Sequence, residues 1–193
     1  MRKIAPSTSI NRYHGLAILF HWLIALALLF MFVTGLYMVN AEIAKADQYK
    51  LFQIHKGAGV LLLFAIVLRF MVRWLTQQPT LPQSFSETDK RLSKIGHIGL
   101  YVAMLVMPLS GWLMVSASPF GLPTIVFDWF QWPHIPGVAR NKVVESVARN
   151  IHWYTAVSFI LLIGIHIFAV IKHRVKDKIN LLPRIGFGKI NEK

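Results

Sequence analysis

Residues 151–171 read IHWYTAVSFILLIGIHIFAVI and contain no charged side chain. A run of this length suffices to cross a hydrocarbon layer ~30 Å thick at about 1.5 Å per residue. It has no polar face, and a helix that is apolar all round belongs in lipid. Working outward, three more runs of the same kind occupy roughly 16–39, 54–75 and 96–117, with few charges inside them. A chain of 193 residues cannot bury four such segments on every side. The fold class expected is therefore all-α, an integral membrane four-helix bundle forming one domain over 1–193. Arg2, Lys3 and Arg12 precede the first run, as they would in a signal peptide. The run is longer than the roughly 7–15 apolar residues of such a peptide, so it is read as a retained helix.

The net charge of +13 would suit a nucleic-acid binder, but its distribution has a simpler cause. With the N-terminus inside, fifteen Lys and Arg fall on the inner side, among them Arg2, Lys3, Arg69, Lys172, Lys189 and Lys193. Only Lys45, Lys50, Lys56, Arg140, Lys142 and Arg149 fall outside. That asymmetry is the positive-inside signature and puts both termini in the cytoplasm. No cysteine is present. Disulfides, iron–sulfur clusters and covalent C-x-x-C-H haem attachment are thereby excluded.

Between the runs, 40–53 is a short loop of mixed charge, and 76–94 carries Pro79 and Pro82 and reads as an exposed connection. The outer segment 118–150 begins with interfacial aromatics, including Phe127, Trp129, Phe130 and Trp132. It ends in a Pro-free stretch, 138–150, that extends the fourth helix outward. No internal repeat stands out. Pro108 lies inside the third run, where neighbouring helices can satisfy the carbonyl it frees.

The eight histidines carry the chemistry. A lone histidine in a membrane helix is often only hydrogen-bonded glue between helices, but four of these sort by depth. His152 and His166 are 14 residues apart on one helix, so their rings leave nearly the same face, separated by ~21 Å along the axis. His21 lies about as far from the inner side as His166, and His55 opens the second helix at the level of His152. Two imidazole pairs stacked across a membrane suit two bis-histidine haems, since porphyrin slabs fit between the helices of a bundle. Zinc would want four ligands in a compact tetrahedron, and each pair offers two. The same step of 14 residues leads from His21 to Gly35, where a porphyrin can approach the backbone, and from His55 to Arg69, whose guanidinium can fork onto a propionate. Against these stand ordinary readings: glycine is frequent in membrane helices, and an arginine near a helix end snorkels to the headgroups. His14 precedes the first run, and His97 opens the third beside Gly96 and Gly99. His97 is read as a structural hydrogen bonder, or as a group for a quinone headgroup or proton uptake. His134 and His173 read as surface residues.

Four stretches carry a resemblance, NRYHGLAILFHW, IHKGAGVLLLFAIVLRFMVR, IGHIGLYVAMLVMPLSGWLM and NIHWYTAVSFILLIGIHIFAVIKHRVKDKINLLPR, and the outer TIVFDWFQWP looks like one subgroup of the same family. In order and spacing the chain resembles the bacterial cytochrome b561 family over nearly all of 10–185. The His–Trp of the first helix and the two histidines of the fourth are its most telling marks. The resemblance implies a bacterial inner-membrane protein with two non-covalent haems b, ligated by His21 and His166 on the inner side and by His55 and His152 on the outer. It also implies exchange with the quinone pool and, in some members, oxidation of superoxide at the outer face. The outer cations would attract that anion, but Glu42, Asp47, Asp128 and Glu145 reduce the outer charge to +2. Two alternatives stay open: a haem subunit that relays electrons for a periplasmic redox partner, and a metal transporter.

Overall fold

The computed structural model describes residues 12–82 and 84–186. Arg2, Lys3, Lys189 and Lys193, counted above for orientation, lie outside them. Four helices follow one another: α1 (Gly15–Asn40), α2 (Lys45–Leu75), α3 (Glu87–Ala117) and α4 (Lys142–Val175). All four are long and apolar enough to cross a membrane. The protein is a multi-pass membrane bundle.

Three helices start nine residues before their apolar runs. Hydropathy marks where lipid begins, whereas the helix continues into water if its polar turns are capped and paired. Ser86 caps α3 by accepting from Asp89 N at 3.1 Å, and Lys90 pairs with Glu87 at 2.7 Å. Asn141 caps α4 by accepting from Val143 N and Val144 N, both at 3.1 Å, and Arg149 pairs with Glu145 one turn on. The connections expected at 40–53 and 76–94 are correspondingly shorter. His14 opens α1 differently, its Nδ1 accepting from Leu16 N at 3.3 Å, which gives it a capping role.

The helices pack as two hairpins, α1 on α2 and α3 on α4, joined by a lighter α2–α3 contact. The central core is small: Ile24, Leu62, Ile66, Ala103, Met104 and Phe159. Phe32 of α1 meets Phe159 of α4 edge to face at 5.8 Å between ring centres. Leu26, Leu29, Phe64, Leu161, Ile165 and Phe168 point outward and contact lipid.

The outer connection was expected to contain only loop and helix. It also holds a two-stranded antiparallel hairpin, β1 (Thr124–Val126) and β2 (Phe130–Trp132). Its turn places Phe127 at φ 47° and Asp128 at φ 61°, and Trp129 N bonds Val126 O at 2.9 Å. Positive φ at both central positions is the twist a tight hairpin requires. Gly57 lets it lie on α2, because a Cβ there would stand 3.3 Å from Ile125 O. Trp112 Nε1 donates to Pro133 O at 2.8 Å, and Ile135 N donates to Ser116 Oγ at 2.9 Å, fastening the returning limb to α3.

On the inner side, a short 3₁₀ turn (Leu182–Ile185) folds back under α1. Trp22 Nε1 donates to Ile185 O at 2.9 Å, and Tyr13 N donates to Arg184 O at 3.1 Å.

Candidate functional site

The outer level is built on one plan in the two hairpins, with one acceptor more in the second. In the first, Thr34 of α1 gives its hydroxyl proton to Phe30 O at 2.8 Å. Its oxygen lies 3.1 Å from His55 Nδ1 on α2. With that proton committed, Thr34 accepts and His55 Nδ1–H donates. In the second, Ser110 of α3 donates to Met107 O at 2.9 Å, and its oxygen lies 3.1 Å from His152 Nδ1 on α4. Met107 O also lies 3.0 Å from His152 Nδ1. A carbonyl only accepts, so His152 too carries its proton on Nδ1. Both rings therefore present Nε2 with its lone pair free.

A glycine follows each hydroxyl residue. A Cβ on Gly35 would stand 3.3 Å from His55 Cε1, and one on Gly111 3.2 Å from His152 Cε1. Each glycine makes room for the imidazole of the neighbouring helix. Gly35 was expected to leave room for a porphyrin, and its immediate neighbour is the ring of His55. His55 and His152 each sit ten residues into their helices, nearly three turns from the fraying end.

The inner level is less symmetric. Each of the expected inner ligands has a polar companion, Arg69 beside His21 and His97 beside His166. Arg69 Nη1 donates to Ala17 O at 3.1 Å, and Nη2 lies 3.4 Å from His21 Nδ1. The second contact is long for a hydrogen bond. His97 stands edge-on to His166, ring centres 5.6 Å apart, and its Nδ1–H donates to Ser93 O at 2.7 Å. Among the described residues no three His, Asp or Glu side chains converge into a compact metal cage.

Two surface assignments are corrected. His173 is inside α4 and buried, stacked on Phe85 at 4.4 Å and bonded to Asp177 at 2.6 Å. His134 is partly covered, and its Nε2 is buried. Thr34, Ser110, Gly111 and the Met107 carbonyl were not anticipated. The available signal was a hydroxyl–glycine dipeptide, present at 34–35 and again at 110–111.

The model of the prokaryotic cytochrome b561 family matches residues 12–188. The chain belongs to that family. It is accordingly a membrane cytochrome that binds haem b and transfers electrons. Two relatives from Escherichia coli (strain K12) are similar along almost their whole length. Cytochrome b561 homolog 2 is 31% identical over 175 residues, covering 91% of each chain. Cytochrome b561 homolog 1 is 24% identical over 178 residues, covering 91% of this cytochrome and 97% of the relative.

Proposed function

We propose that this cytochrome holds two haems b, one between His55 and His152 near the outer surface and one between His21 and His166 near the inner. It would carry electrons between a donor or acceptor outside and the quinone pool. The observation that carries this reading is the set of oxygens at 3.0–3.1 Å from Nδ1 of His55 and of His152, which places the proton on Nδ1 and leaves Nε2 as the donor atom for iron. A haem held by two imidazoles would supply one-electron chemistry and would have no open place for a substrate.

The remaining work falls to the chain. Thr34, Ser110 and Met107 O hold the outer rings in one orientation, and Gly35 and Gly111 give them space. Arg69 is the candidate for an inner propionate, because a carboxylate would outcompete the long contact to His21. Ligation of His21 through Nε2 has Nδ1 carrying the proton and Arg69 turned to that carboxylate. Quinone chemistry moves protons with electrons, and His97, an imidazole beside His166, can give and take one. With the fifteen inner cations, this arrangement has both termini in the cytoplasm.

Among the outer cations, Lys56 donates to the neutral carbonyl of Pro123 and keeps its charge, but Lys50 pairs with Asp47 and Arg149 with Glu145. That pairing weakens any field that would gather superoxide and favours a relay to an outer redox partner. Pulse radiolysis separates the two: haem reduction by superoxide at near-diffusional rate supports the oxidase, and its absence supports the relay. The primary test is a pyridine haemochrome count. Two haems b per chain are expected, falling to one in His152→Ala; a single haem, or two in the variant, refutes the assignment.

A further inference from the structure

The two levels differ in what touches the proposed ligand histidines. At the outer level both Nδ1–H groups donate to oxygen: His55 to Thr34, His152 to Ser110 and Met107 O. An imidazole that donates its far N–H is a more basic ligand and favours ferric iron. At the inner level no oxygen accepts from His21 or His166 among the described residues. The polar group there is the Arg69 guanidinium, 3.4 Å from His21 Nδ1 and still at the inner level once turned to a propionate. A fixed positive charge opposes the more positive oxidation state.

We infer that Thr34, Ser110 and the Met107 carbonyl are positioning groups that hold the outer haem at the lower of two potentials, with Arg69 holding the inner haem at the higher. An electron entering on the outer side then runs downhill toward the cytoplasmic side, with no bond made or broken. The inference rests on the di-haem reading.

The acceptors are not equal. His55 loses its only Nδ1 acceptor in Thr34→Val, whereas His152 keeps the Met107 carbonyl in Ser110→Ala. A redox titration of the purified, haem-loaded protein, followed in the visible bands, resolves the two midpoints. Thr34→Val should raise the lower midpoint and leave the upper in place. Ser110→Ala should do the same by less, and Thr34→Ser should titrate like the parent. Arg69→Gln should lower the upper midpoint. His152→Ala should remove the haem that titrates lower. An unmoved lower midpoint in Thr34→Val, with two haems still bound, overturns the ordering while leaving the ligand assignment intact. So does loss of the higher-potential haem in His152→Ala. A His152→Ala protein that keeps both haems overturns the ligand assignment, and the ordering with it.

Discussion

A methyl group is enough to test the outer level. In Gly111→Ala the added carbon would stand 3.2 Å from His152 Cε1 and 3.4 Å from Nδ1, closer than carbon atoms rest comfortably. The ring must turn, and haem content is expected to fall toward one per chain. Gly164→Ala on α4, the helix that carries His152, is the control, because a Cβ there meets nothing within 4 Å; it should retain two. Haemochrome counts on both variants check the pair. His97→Ala should keep both haems but slow haem oxidation by added quinone, as stopped-flow mixing would reveal. The four histidines proposed as ligands stand out in the sequence because a ring in an apolar run is costly and its depth can be counted from the helix end. Their partners were not. Thr34 bonds the carbonyl of Phe30 four residues back, the ordinary habit of a hydroxyl in a membrane helix, and only the fold brings His55 to its free lone pair. His173 was misread for a related reason: the ring that covers it, Phe85, comes from a distant connection.

The helical extensions matter to the site because they move His55 and His152 away from their helix ends. A ligand held nearly three turns inside is fixed by the ladder on both sides, and such rigidity keeps a site accurate. Asn141 anchors the extension of α4 through two backbone N–H groups. Asn141→Ala should cost about 1 kcal/mol, seen as a lower thermal midpoint with both haems retained. Phe159→Ala acts deeper. It removes a ring only 1% exposed at the contact between α1 and α4, and cavities of this kind cost about 3–5 kcal/mol. Apolar runs revealed the spans themselves, since four lipid-facing helices have no polar stripe to disguise them. The hairpin escaped notice because its strands are three residues long and its turn uses Phe127 and Asp128, not the Asn-Gly or Gly-Gly pairs that announce such turns.

Across the whole molecule, orientation is the property that gives the two levels their meaning. The absence of cysteine makes it simple to test. A single Lys142→Cys, at the start of α4, should react with a membrane-impermeant maleimide added to intact cells. Lys178→Cys, beyond the other end of α4, should react only after lysis. The reverse result would exchange the two sides and with them the direction of electron flow. The division into hairpins also has a meaning at this scale. Each hairpin supplies one outer histidine together with the hydroxyl and glycine that seat it, so the outer site forms only when the halves close on each other.

The strap under α1 bears on biosynthesis. Trp22, next to His21, is engaged by the carbonyl of Ile185, a residue that leaves the ribosome only after α4 is complete. On the di-haem reading, this lid would close over the inner site last, after the four helices that surround it. A chain truncated after Lys178 would never shut that door. It should accept haem readily at the inner level and surrender it faster to an apo-globin scavenger than the full-length protein does.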